Sequence, residues 1–205
     1  MGSKKLRIVV IGASGTIGKL LSASLEEKGH DVIRVARTSG DFNADIQNKK
    51  SLEELFKQVG IFNAVANAAG DVVSGPLESL TDDDFALAIS SKLIGQVNIV
   101  RTALPYIAEG GSFTLVSGIL SDEPIAGGTM GTLVNGGVEG FVKALALELP
   151  RGLRINCISP NVLAESTTYH LYFPGFIPVE GWKVARAYER SIFGIINGRI
   201  VTAYA

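Results

Sequence analysis

The chain has 205 residues, 46% of them apolar, with 19 basic and 20 acidic side chains. That size suits one α/β domain over 1–205 with a large core, and the balanced charge argues against a nucleic-acid partner. No apolar run reaches the roughly 20 residues that span a bilayer, and the run behind the opening Met1-Gly2-Ser3-Lys4-Lys5 is too short for a signal-peptide core, so the sequence reads as a cytoplasmic protein with no membrane partner.

In chain order, Leu6–Ile11 is a continuous β-branched run, the pattern of a strand buried on both faces. The glycine-rich Gly12–Gly18 follows. Ile17, Leu20, Leu21 and Leu25 then recur at helical spacing, and Gly29 closes that helix. Asp31–Ala36 reads as the second strand. The polar stretch Arg37–Asp45 holds at most a short strand. Leu52, Leu55, Phe56 and Val59 mark the next helix face, with Ser51 as its expected cap. Ile61–Ala66 is a further buried strand, ending at Asn67-Ala68-Ala69-Gly70.

Thr81 caps a helix whose first turn carries Asp82, Asp83 and Asp84, favourable at the positive helix end. A long helix is expected over Leu93–Tyr106 and a strand over Phe113–Ser117. Residues Gly131–Leu149 predict a helix with Leu133, Val134, Val138, Phe141, Val142 and Leu145 inward. Leu153–Ser159 is a strand ended by Pro160. Asn161–Val179 is aromatic with few helix signals, Pro178–Gly194 holds a last helix, and Arg199–Thr202 a final strand. Cys157, the lone cysteine, sits in a strand and reads as a small core residue. His30 and His170 are far apart with nothing nearby to complete a ligand set, so no metal site is expected.

The β-α-β-α alternation predicts a Rossmann-like doubly wound domain, a parallel sheet of about seven strands with helices on both faces. Ligands then bind outside the carboxyl ends of the strands. The loops after Ile11, Ala36, Ala66, Ser117 and Ser159 share that rim. Gly12-Ala13-Ser14-Gly15-Thr16-Ile17-Gly18 joins strand to helix, where free backbone N–H groups attract phosphate. Gly12 permits the turn, Gly15 lets a pyrophosphate approach, and Gly18 lets the helix pack on the sheet. Arg37, just past the second strand, stands where an acidic residue would hold the ribose 2′-hydroxyl of NAD. An arginine there pairs with the 2′-phosphate of NADP, so NADP(H) is favoured over NAD(H).

Together these residues resemble the short-chain dehydrogenase/reductase family over nearly the whole chain. The loop resembles its G-x-x-G-x-x-G variant. Asn67-Ala68-Ala69-Gly70 is similar to its N-N-A-G turn, with Ala66 in place of the first asparagine. Asp45 matches the family's adenine-contacting aspartate. Ala146-Leu147-Glu148-Leu149, Arg154-Ile155-Asn156 and Pro160 resemble a further conserved stretch of the family, with Asn161 replacing its glycine. The resemblance implies a nicotinamide cofactor and an aromatic substrate lid after the sixth main strand. It also implies a homodimer or homotetramer built on the helices Leu93–Tyr106 and Gly131–Leu149.

The family's chemistry uses a tyrosine, a lysine four residues later, a serine and an asparagine. In this sequence those positions fall on Gly131, Asn135, Gly118 and Lys92. Glycines supply no proton donor, and proton transfer is typically worth about 10²–10⁴-fold in rate. Lys92 is a candidate donor or anion ligand. Tyr169, His170 and Tyr172 are lid candidates, Tyr169 foremost, with aromatic packing as the alternative. Ser117 neighbours the vacant serine position, but strand alternation points it the other way. Two readings stay open. One is an oxidoreductase acting on a small carbonyl or alcohol substrate through a non-standard site. The other is a catalytically inactive NADP(H)-binding redox sensor or scaffold. A weaker third is a protein for another nucleotide or a nucleotide-sugar.

Overall fold

The computed structural model describes residues 5–204; Met1–Lys4 of the opening segment lie outside the described residues. Seven strands form one sheet in the order β3-β2-β1-β4-β5-β6-β7: β1 Arg7–Ile11, β2 Asp31–Ala36, β3 Phe42–Asn43, β4 Phe62–Asn67, β5 Ile107–Val116, β6 Arg154–Pro160 and β7 Ile200–Ala203. Every pairing is parallel. The order reverses between β1 and β4, which opens a crevice at their carboxyl ends. The expected doubly wound sheet is therefore present.

Among the described residues the α-helices are α1 Thr16–Glu27, α2 Lys49–Val59, α3 Asp82–Ala88, α4 Gln96–Ala103, α5 Thr129–Leu145 and α6 Gly181–Phe193. Alternating strand residues feed two apolar layers. Val9 and Ile11 of β1 face one layer with Leu52, Leu55, Phe56, Ile99, Val138 and Val142. Ile8 and Val10 face the other, with Leu21 and Leu25 of α1 and Val184, Tyr188 and Ile192 of α6. No helix among the described residues is long and apolar enough to cross a membrane.

Several local expectations are corrected. The cap of α2 is Asn48, whose side chain accepts from the N–H groups of Lys50 and Ser51; the Ser51 hydroxyl instead accepts from the Asp45 N–H at 3.1 Å. The helix expected over Leu93–Tyr106 begins earlier, because a π-helical turn over Ile89–Gly95 joins α3 to α4. A π turn widens the backbone ladder and is invisible to a 3.6-residue period. Strand β5 starts at Ile107 rather than Phe113, since Ile107 pairs with Phe62 across an irregularity that absorbs Gly110 and Gly111. Helix α5 runs two residues earlier and ends four sooner than expected, and Leu133 on it is 52% exposed rather than inward. The aromatic segment contains a short 3-10 helix over Thr167–Tyr172.

Candidate functional site

The turn after β1 is built from short hydrogen bonds. The N–H groups of Gly12 and Ala13 both donate to the Val35 carbonyl, at 2.9 and 3.1 Å, and Gly15 N–H donates to the Gly12 carbonyl at 3.0 Å. Gly12 has φ +81°, and a Cβ there would lie 2.8 Å from the Ala68 carbonyl carbon. A Cβ at Gly18 would lie 2.1 Å from the Gly12 oxygen. Both positions therefore demand glycine for backbone-to-backbone approach. Helix α1 opens with the amides of Thr16, Ile17 and Gly18 bound to no backbone acceptor among the described residues. Such amides carry the positive end of the helix dipole.

Beside this turn lies a cavity of about 240 Å³, lined by Gly12, Ser14, Gly15, Arg37, Asp45, Ala68, Ala69 and Gly70 among others. Eight residues singled out from the sequence thus converge on one space. Thr16, Ile17 and Gly18 stay in the helix behind it, and Asn67 is fully buried. The Asn67 amide donates to the Ala69 carbonyl at 2.8 Å and to Gln96 Oε1 at 3.0 Å, so it shapes the turn from within. Arg37 is 68% exposed and reaches Asp71 Oδ2 at 3.4 Å. Asp71 was not expected to take part; its place directly after Gly70 is the signal that was there to read. Asp45 Oδ1 accepts from the Gln47 N–H at 3.0 Å, a local turn bond that sets its orientation.

A second, larger cleft of about 840 Å³ shares Gly70 and Asp71 with the first. Lys92, Gly118, Gly131, Asn135 and Pro160 line it, as do Tyr169, Tyr172 and Phe173 of the lid. All four positions that the family alignment placed at the chemistry are therefore together. Gly118 and Gly131 offer no functional group, and neighbouring side chains have moved up to each of them. A Cβ at Gly131 would meet Leu120 Cδ1 at 2.9 Å, and one at Gly118 would meet Asn135 Nδ2 at 3.2 Å. The Asn135 amide donates to the Gly118 carbonyl at 3.3 Å, and its buried Oδ1 has no partner.

Lys92 lies in the π turn and is 9% exposed. Its stem passes over Gly70, where a Cβ would come within 2.6 Å of Lys92 Cδ. Among the described residues Nζ has no hydrogen-bond acceptor, while the Lys92 carbonyl accepts from Gln96 Nε2 at 2.8 Å. Burial pushes the ammonium down to about 8, against a smaller upward pull from Cys157 and Asp71. Gln96, unnoticed in the sequence, also donates to the Val116 carbonyl and accepts from its N–H, at 2.8 and 2.9 Å. One amide thus ties the ends of β4 and β5 to the turn that carries Lys92.

The remaining candidates take other parts. Tyr169 is 59% exposed at the cleft rim. His170 Nε2 is bonded to the Leu163 carbonyl at 2.8 Å, which fixes the lid. Ser117 lines the cleft but donates to the buried Glu139 carboxylate at 2.8 Å, and Ser121 donates to the same oxygen at 2.6 Å. Glu139 so anchors the turn holding Gly118. Burial raises the Cys157 thiol to about 12, and it stays an inert core group.

Comparison with known proteins adds the following. The family model described as "Enoyl-(Acyl carrier protein) reductase" matches residues 7–178. A 3-ketodihydrosphingosine reductase from Bacteroides thetaiotaomicron is 28% identical over 175 residues, which cover 75% of this chain and 62% of that protein. The crystal structure of protein lin1944 from Listeria innocua superposes with a TM-score of 0.95 at 44% identity, covering 97% of this chain and all of that one. A small-chain dehydrogenase crystallised in complex with NADPH superposes at 0.87 and 27% identity, covering 97% and 96%.

Proposed function

The chain belongs to the short-chain dehydrogenase/reductase family, and on that premise we propose that it is an NADP(H)-dependent oxidoreductase for a small carbonyl or alcohol, with Lys92 as its proton donor. The observation that carries this reading is one buried ammonium, unpaired among the described residues, that lines the larger cleft with its stem packed on Gly70, a residue both cavities share. The glycine cradle fits a pyrophosphate, because Gly15 lines it without a side chain to fill it, Gly12 and Gly18 let the backbone close up beneath it, and the α1 amides stand open behind it. Gly12, Ser14, Gly15 and the amides of Thr16 to Gly18 hold the phosphates. Asp45, Ala68, Ala69 and Gly70 wall the cavity, and Asn67 and Pro160 support its floor and the cleft. Arg37, already facing an anion in Asp71, takes the 2′-phosphate. The small-chain dehydrogenase bound to NADPH supports that choice.

When bound, the reduced nicotinamide supplies the hydride. Lys92 Nζ donates to the substrate oxygen and delivers the proton that turns it into an alcohol. A donor poised at about 8 is protonated in most molecules at neutral pH and gives its proton up readily, which suits general acid catalysis. Tyr169, more than half exposed, covers the substrate instead. The chain is read as one domain and as a cytoplasmic protein. The exposed Ile94 and Leu133 suit association into a homodimer or homotetramer, which solution scattering at micromolar concentration tests; a monomer counts against it.

The experiment measures NADPH and NADH binding by calorimetry and turnover on a panel of carbonyl compounds. Arg37→Asp is expected to reverse the cofactor preference. Lys92→Met is expected to keep NADPH binding and to lower kcat by about 10²–10⁴-fold. No binding of either dinucleotide overturns the proposal; tight NADPH binding without turnover on any acceptor favours a sensor.

A further inference from the structure

Resting on that reading of the cleft, we propose that its ligand carries an oxyanion, a carboxylate or a phosphate ester, held between Lys92 and the first turn of α5, with an aryl or branched alkyl body against the lid. Three observations meet there. First, the charged side chains lining the cleft are Lys92 and Asp71, and Asp71 is turned to Arg37 in an exposed pair. Lys92 is therefore the one cation of the cleft without a partner among the described residues, and it is nine-tenths buried. A largely desolvated ammonium with no ion-pair partner is stabilised most by an anion that brings its own charge into the same volume.

Second, α5 opens onto the same space. Gly127 and Gly131 line the cleft. The amides of Thr129, Met130 and Gly131 meet no backbone acceptor outside their helix among the described residues. The N-cap Gly128 offers no side chain, and the first turn contains no acidic residue. A 17-residue helix thus presents its positive end uncapped to the same cleft that Lys92 lines. Third, Val72, Leu120, Leu163, Tyr172 and Phe173 form an apolar and aromatic part of the wall, and apart from Lys92 and Asp71 its polar side chains, among them Ser74, Asn161 and Ser166, are uncharged, which suits a hydrocarbon body and no second charge.

The test loads the full chain with NADP⁺ and titrates, by calorimetry, 4-phenyl-2-oxobutanoate, its methyl ester, and phenyl phosphate. At least one oxyanion is expected to bind tenfold or more tightly than the neutral ester, a preference of the size that one charge-assisted hydrogen bond gives; the tighter of the two identifies the form. Lys92→Met is expected to shrink the preference to under twofold. Thr129→Asp places a negative charge at the helix start, which favours the helix itself, so its melting temperature is expected to hold while the preference falls severalfold. An ester as tight as both oxyanions, or a preference that survives both variants, overturns the inference. The same titration on cofactor-free protein decides the matter if the dinucleotide does not bind, so the two proposals fail separately.

Discussion

Replacing Lys92 by methionine is expected to make the fold more stable. Lys92 holds an ammonium in a site where burial lowers its pKa from 10.5 to about 8. Each unit of such a shift is about 1.4 kcal/mol of interaction that the charged form loses on folding, so at pH 7, where the group is protonated in both states, the buried charge costs about 3 kcal/mol. Methionine keeps the length of the stem and removes the charge. The sign follows from proton counting. Between about 8 and 10.5 the unfolded chain binds the Lys92 proton and the folded chain releases it, so wild-type stability gains on the variant as pH rises through that window. By pH 9 the gap is expected to shrink by about 1.4 kcal/mol. Cys157, raised to about 12, pulls stability the other way above pH 9 and feels the Lys92 charge, so the comparison stops at pH 9, where the folded thiol is still protonated in both proteins. Urea denaturation at pH 7, 8 and 9 measures this. A variant no more stable than wild type at pH 7, or a gap that does not change with pH, refutes the reasoning. A stabilised variant that has lost turnover is the usual exchange of stability for function at a working site.

Gly18→Ala sets a Cβ against the Gly12 oxygen 2.1 Å away; a thermal melt is expected to show a loss of about 1–3 kcal/mol from overpacking, and calorimetry is expected to show no dinucleotide binding. Gln96→Leu removes one of two acceptors from the Asn67 amide and the side-chain partners of the Val116 N–H and carbonyl. Buried groups left unpaired cost about 1–3 kcal/mol each, so denaturation is expected to place this variant well below wild type. Gly70→Ala meets φ +144° and a contact of 2.6 Å with Lys92 Cδ; the expected result is a changed pH profile of kcat, because the ammonium must shift, with NADPH affinity less affected.

The sheet and the glycine turn could be read in advance because their signals are local. Ile8–Ile11 carries its own burial pattern, and Gly12, Gly15 and Gly18 follow it at fixed spacing. The placing of Lys92 in the cleft rests on less local facts. Its depth comes from the π turn over Ile89–Gly95 and from the missing side chain at Gly70, two elements away in the chain. Gln96 is equally hidden: its partners Asn67 and Val116 lie 29 and 20 residues off. Ser51 is a sound cap by composition, yet α2 already begins at Lys49, so Asn48 stands at the N-cap and Ser51 lies within the first turn, its hydroxyl engaged with Asp45. Leu133 looks inward by period alone but faces out in the structure.

Helix α6 packs beside α1, and the Tyr188 hydroxyl donates to the Asn67 carbonyl at 2.7 Å, deep under the turn after β4. Seven of the sixteen buried residues of that apolar layer, from Val179 to Ala203, thus come from a stretch far along the chain from the glycine turn. The cradle therefore inherits its footing from a distant helix, and melting α6 alone would leave the Asn67 carbonyl without the hydroxyl bonded beneath it.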